Sequence, residues 1–242
     1  MAASPLALVH DSLTRLGTRS DVRFALPPPR TVERIPTGIP AIDSLCSGGI
    51  PRGALTEIYG PPSSGRTSLL MALMAQVTAN EEYVAVIDTS DAFNPASAVE
   101  AGVQLSRLLW IRCGGNAEHA LKAADLIVQA GGFGMIAMDL ADTPPSTAAR
   151  ISLASWFRLR HAVERTPAAL VVLAQSLNAR SCSSLQLEMQ PEEVLWTGDQ
   201  SGKLLHGMKL RAESRKHHQS LVGRARVFQS TGKIARSGII ED

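Results

Sequence analysis

From residue 35 onward, short uninterrupted apolar runs alternate with longer segments of helical period. The runs are TEIY (56–59), YVAVID (83–88), RLLWI (107–111), GMIAMD (134–139) and ALVVLA (169–174). A run of this length without polar alternation predicts a strand covered on both faces. Helix-like segments at 67–79, 95–101, 117–130 and 147–165 separate the runs. The third of these puts Ala120, Ala124, Ile127 and Val128 on one face, with Asn116 placed as N-cap. Strand and helix in alternation predict an α/β architecture, a mostly parallel sheet with helices on both faces.

Beyond residue 174 the period drops to two. Leu185, Leu187 and Met189 alternate with Gln186, Glu188 and Gln190. Met208, Leu210 and Ala212 alternate with Lys209, Arg211 and Glu213, and Ala225 and Val227 with Arg224 and Arg226. These are strands with one wet face, an antiparallel C-terminal extension of the sheet. Ahead of residue 35, an amphipathic stretch at 6–16 and the helix-blocking Pro27-Pro28-Pro29 read as an arm and linker. The expected organisation is an arm over 1–34 and one core over 35–242.

Composition adds limits. A chain of 242 residues, 45% hydrophobic and 19% charged, fills one core and lacks the charge excess of a disordered protein. No apolar run approaches the ~20 residues of a membrane helix, and the apolar stretch in the first residues is too short for a secretory signal, so neither export nor membrane spanning is expected and a cytoplasmic protein is. Cys46, Cys113 and Cys182 form no CxxC pair and join no histidine spacing, so no zinc site is expected, and His217-His218 read as solvated loop residues. The net charge of +2 is unevenly spread: residues 203–236 hold nine basic residues and one acid, Glu213. If the last two alternating strands pair through the 215–221 loop, Lys209, Arg211, Arg224 and Arg226 share the exposed face. Two readings offset that crowding: Glu213 with solvent, or the phosphates of a nucleic acid contacted by Lys209, Arg211, Arg215, Lys216, Arg224 and Arg226.

The first buried run is followed by Gly60-Pro61-Pro62-Ser63-Ser64-Gly65-Arg66-Thr67-Ser68 and then a helical pattern. This is the spacing and context of a phosphate-binding loop: glycines let the backbone curl its N–H groups toward phosphate oxygens, with the positive end of a helix behind them. Thr67 would ligate Mg²⁺ through its hydroxyl, and Asp139, ending the GMIAMD run, would hold the same ion through water; Asp142 is the nearby alternative. Arg66 stands where such loops carry lysine. Its planar fork is bulkier than an ammonium, which lowers the nucleotide affinity to be expected.

The runs RIPTGIPAIDSLCSGGIPRGALTEIYGPPSSGRTSLL, VIDTSDAFNP, GVQLSRLLW, IAMD and LAQS resemble the RecA family over residues 34–174, with a weaker continuation beyond. The resemblance implies a P-loop NTPase core. It places Ser90 where the family carries its catalytic glutamate, and a serine hydroxyl cannot act as a general base at neutral pH; Asp91 lies one position further. Gln175 falls on the glutamine that couples nucleotide to the DNA loops. The degraded site and the chain length are most similar to the ImuA group, RecA-like accessory proteins of bacterial mutagenesis cassettes. That likeness implies weak or absent use of ATP and Mg²⁺, with no or weak ATPase activity. It also implies SOS-induced DNA repair and translesion synthesis beside a Y-family polymerase-like protein and an error-prone replicative-type polymerase.

Three functional classes stay open on sequence: an adaptor in lesion bypass, an active ATP-dependent recombinase on single-stranded DNA, and a regulator of RecA filaments. The last would use residues 22–26 as an imitation of the strand through which RecA subunits join. Trp110 and Trp156 read as core, whereas Trp196 is placed to touch DNA or a partner.

Overall fold

The computed structural model describes residues 32–199, 202–216, 219–230 and 233–235. The chain divides into two units at Val32 and Glu33, and the second is described here. The arm, the stretch at residues 22–26 and the His217-His218 pair lie outside the described residues.

A two-stranded ribbon of β1 (Arg34–Ile35) and β2 (Ile50–Pro51) brackets helix α1 (Pro40–Leu45). There follow β3 (Ala54–Tyr59), α2 (Arg66–Ala79), β4 (Tyr83–Asp88), α3 (Pro95–Glu100), β5 (Leu108–Arg112), α4 (Ala117–Ala130), β6 (Phe133–Asp139), α5 (Pro145–Ala148), α6 (Leu153–Val163) and β7 (Ala169–Ala174). The chain then enters β8 (Leu185–Asp199), β9 (Gly202–Lys216), β10 (Gln219–Ser230) and β11 (Lys233–Ala235). The main sheet runs β11-β10-β9-β8-β3-β7-β6-β4-β5. Strands β3 to β8 pair in parallel, and β9, β10 and β11 extend the sheet antiparallel. The mostly parallel sheet and its antiparallel C-terminal extension agree with the sequence pattern.

The apolar runs are continuous because both faces are buried. Ile58, Val84, Val86, Met135, Ala137, Val171 and Leu173 pack on one side with Ile42 of α1 and Leu69, Leu73 and Val77 of α2. Their neighbours Leu55, Ala85, Ile87, Ile136, Met138, Leu170 and Val172 pack on the other with Ala120, Ala124 and Val128 of α4 and Trp156, Leu159 and Val163 of α6. Asn116 caps α4 as predicted, its side-chain oxygen accepting from Glu118 N–H at 2.9 Å and His119 N–H at 3.1 Å.

Three expectations need correction. The RLLWI run forms the sheet's edge strand β5, so Leu109 and Trp110 are exposed rather than core. The 147–165 segment is two helices, because Ser152 turns the chain out of α5 and caps α6 by accepting Ser155 N–H at 3.2 Å. Strand β8 runs well past Gln190 to Asp199, carried through shifts in pairing register between Pro191 and Glu193 and between Leu195 and Trp196. Trp156, by contrast, is fully buried.

Candidate nucleotide site and basic strand face

The carboxyl ends of β3, β7, β6 and β4 are adjacent in the sheet, and the candidate residues converge there, where ligands of open α/β sheets bind. Loop 60–65 joins β3 to α2. Gly65 is left-handed at φ 82°, which lets the chain turn into the helix, and the first N–H groups of α2 have no intrahelical partners. At Gly60 a side chain has no room: a Cβ would lie 2.0 Å from the Met189 carbonyl oxygen of β8. Ser64 is buried at 1% exposure, and its hydroxyl has no hydrogen-bond partner among the described residues. Pro61, Pro62, Ser63 and Thr67 face outward, and Ser68 is half-buried in the first turn of α2.

Arg66 does not extend along the loop. It is 6% exposed, and its Nη1 donates a short hydrogen bond to the carbonyl of Ala174 at the end of β7, the same oxygen that accepts Gly60 N–H at 3.3 Å. Burial lowers the guanidinium pKa, and the charges of Asp139 and Asp142 oppose that shift. Asp139 ends β6 with Oδ1 accepting Ala141 N–H at 2.8 Å. Burial pushes its carboxyl up to about 6; the Ala141 bond lowers it, Asp88 and Asp142 raise it, and Arg66 lowers it. Gln175, just past β7, binds the segment after β6, its Nε2 donating to the Ala141 carbonyl at 2.9 Å. Asp139 and Gln175 thus meet at Ala141, one through its N–H and the other through its carbonyl, beside the strand end that Arg66 holds.

Ser90, the position that the resemblance assigns to the base, is half-buried two residues past β4 and carries only a hydroxyl. Asp91 next to it is held by Arg112 at 3.0 Å. Asp88, to which the sequence pattern assigns no role, organises this corner. At 1% exposure it accepts from Ala92 N–H at 3.1 Å, Phe93 N–H at 2.9 Å and Trp110 Nε1 at 3.1 Å. Trp110 is thus anchored at its indole nitrogen, tilted against Phe93 with centroids 5.4 Å apart and capped by the Arg112 guanidinium.

A nucleotide's phosphates fit the loop: its turn, the free N–H groups of α2 and the orphaned Ser64 hydroxyl are all suited to anionic oxygens. A divalent ion fits less well. Its ligands would be Thr67 and Asp139, and one Asp139 oxygen is already engaged by Ala141 N–H. Among the described residues, no three His, Cys, Asp or Glu side chains gather as a metal-binding group.

On the other side of β3, the register sets Arg211 opposite Arg224 and Lys209 opposite Arg226. Cross-strand partners share a face, so the four basic positions do lie together. Lys209 is bound by Glu193 at 2.6 Å and Arg215 by Glu188 at 3.2 Å and Glu213 at 3.4 Å. Alternation alone points only to Glu213 as a counter-charge, because Glu188 and Glu193 reach these cations through the β8–β9 pairing. Lys216, Arg224 and Arg226 are placed by backbone register alone. Trp196 is 57% exposed and pairs with Leu205 across the hairpin.

Buried Glu57 is a structural acid that the motif spacing does not single out, although an acid inside a buried apolar run is a visible signal. Its carboxylate accepts the N–H groups of Asn178 and Ala179, anchoring the turn that follows Gln175. Burial raises its pKa to about 7 against the opposing pull of those bonds.

The model of the RecA N-terminal domain matches residues 9–150. The chain is similar to Protein RecA of Herpetosiphon aurantiacus, 31% identical over 229 residues, covering 85% of this chain and 61% of the relative. Similarity to Protein RecA of Bifidobacterium longum is 38% over 124 residues, 51% of this chain and 31% of the relative. For Protein RecA of Methylococcus capsulatus it is 40% over 111 residues, 46% and 32%. The chain spans between about a third and three-fifths of the length of these curated relatives.

Proposed function

The chain belongs to the RecA family, and from that premise we propose that it is a RecA-fold accessory protein of the DNA damage response. In this reading it binds ATP weakly or not at all and serves error-prone translesion synthesis as an adaptor. Its partners are a Y-family polymerase-like protein and an error-prone replicative-type polymerase, with RecA itself a further candidate, in the cytoplasm at the nucleoid. The observation that carries the reading is the loss of both chemical parts of the site. The cation of the loop is folded back on Ala174, and the base position is Ser90 with its acidic neighbour Asp91 paired to Arg112. Without a residue to orient and activate water, an NTPase loses a factor of about 10²–10⁴ in rate while its fold remains available as a scaffold. Polymerase partnership rests on the likeness to the ImuA group, which shares the degraded site and chain length.

A second reading, an ATP-dependent single-stranded-DNA-binding protein or filament regulator, is favoured by Gly60, Gly65, Thr67 and Asp139 and by the shared face of Lys209, Arg211, Arg224 and Arg226. Turnover of ATP by the purified protein with and without single-stranded DNA separates the two. The adaptor reading expects rates far below the ~1 per second of ordinary enzymes, and DNA-stimulated turnover at or above that rate removes it.

A further inference from the structure

We infer that Asp91 is a water-activating acid held in reserve, and that its ion pair with Arg112 keeps the nucleotide site idle. The inference rests on reading 60–68 as a phosphate cradle and deepens it: the acid is displaced by one residue and latched. A shift by one position reverses a side chain only while the backbone is extended. Strand β4 ends at Asp88, and Thr89, Ser90 and Asp91 lie in the turn beyond it. That turn is folded round one carboxylate, since Asp88 accepts the N–H groups of Ala92 at 3.1 Å and Phe93 at 2.9 Å. Asp91 itself is left-handed at φ 59°, so strand alternation does not carry through to it. The turn also leaves the sheet beside Asp139. Asp88 is the register partner of Asp139, and Thr89 N–H donates to the Asp139 carbonyl at 3.2 Å.

A carboxylate here supplies what the Ser90 hydroxyl lacks. It takes a proton from a water as the water oxygen bonds to the terminal phosphorus, while the bond from that phosphorus to the nucleoside diphosphate breaks and the diphosphate leaves with the electron pair. Arg112 withholds that carboxylate, its Nη2 donating to Asp91 Oδ2 at 3.0 Å. Because Arg112 ends the edge strand β5, on the side of β4 away from β6, β7 and β3, the pair draws the carboxylate outward from the cradle. The latch is built to open. Both residues are exposed, and exposed ion pairs contribute little to stability. The guanidinium's other support is the Trp110 ring, 5.5 Å away at its centroid.

The test compares the full-length native protein with Arg112→Gln, Arg112→Lys and an Arg112→Gln, Asp91→Asn double variant. The first readout is calorimetric binding of ADP with aluminium fluoride, which mimics the transferring phosphoryl group. Arg112→Gln is expected to bind this mimic about tenfold more tightly than the native protein while ADP alone binds both equally, because the released acid acts only on the attacking water. The double variant and Arg112→Lys, which keeps a cation, are expected at the native level. ATP turnover, the second readout, is expected to rise by at least about tenfold in Arg112→Gln alone. No gain in mimic affinity overturns the inference, as does absence of nucleotide binding by all four proteins. A gain that survives Asp91→Asn overturns the assignment to Asp91, and an equal gain in Arg112→Lys overturns the latch. A silent Arg112→Gln leaves the adaptor reading standing, whereas that reading falls only to rapid DNA-stimulated turnover by the native protein.

Discussion

Arg66 and Ala174 are joined across 108 residues of chain: the guanidinium that opens α2 donates to the last carbonyl of β7, on the oxygen that also receives Gly60 N–H. The phosphate loop is thereby stitched to the neighbouring strand at both of its ends. The residue that departs from the P-loop pattern is thus a structural tie as well as a missing phosphate ligand. Replacing Arg66 by alanine removes a buried charge-assisted bond and leaves the Ala174 carbonyl without its guanidinium partner. A loss of about 2–3 kcal/mol in urea unfolding is expected. An unchanged midpoint would show that the tie carries no stability.

Gly60 is required by its close approach to β8. Because a Cβ there meets the Met189 carbonyl at 2.0 Å and backbone cannot yield cheaply, Gly60→Ala should cost about 3 kcal/mol and loosen β8 from β3. Hydrogen exchange at the β3–β8 pairs from Thr56 to Tyr59 reads this directly; unchanged protection there contradicts the account.

Asp88 is expected to be a structural acid. Asp88→Ala strands the N–H groups of Ala92 and Phe93 and the indole N–H of Trp110, at a cost of about 2–4 kcal/mol, and frees the indole. A red-shifted Trp110 emission with lowered stability is the expected result, and neither change would leave Asp88 without this role.

Much of the fold and site is legible in the sequence, and the limits have physical causes. The five apolar runs are strands of one sheet, and the loop, Asp139 and Gln175 converge, because strand period and motif spacing are local properties. What fails is set by position in the sheet. RLLWI looks like a core strand in isolation, yet β5 is an edge, so Trp110 is half-solvated. Glu188 and Glu193 neutralise Arg215 and Lys209 only because β8 continues past register shifts that no periodicity announces. The folding back of Arg66 is likewise invisible in sequence, since it depends on a carbonyl 108 residues away.

The pH dependence of stability should carry the signature of Glu57. Its carboxyl holds its proton up to about 7 when folded, against an ordinary value of 4.5. Between those values the folded chain binds the extra proton, so stability falls as pH rises through the window and levels off above it. Glu57→Gln should flatten that slope in urea titrations run across the window. An unaltered slope would assign it to other groups.

The basic face is expected to read phosphate charge. Neutralising Lys209, Arg211, Arg224 and Arg226 together should weaken single-stranded DNA binding and make its salt dependence shallower by about 0.7 for each phosphate no longer neutralised. An unchanged slope would mean that Glu188, Glu193, Glu213 and solvent already satisfy this face.

The central claim, a RecA fold kept as a scaffold after its chemistry was lost, is tested most directly by ATP hydrolysis with and without single-stranded DNA, comparing the native protein with an Arg66→Lys, Ser90→Glu double variant. The account predicts an inert native protein and gain of turnover in the variant, since the loop, Thr67, Asp139 and Gln175 are already in place. DNA-stimulated hydrolysis by the native protein at about 1 per second or faster would contradict it and make an active recombinase or remodeller the better reading.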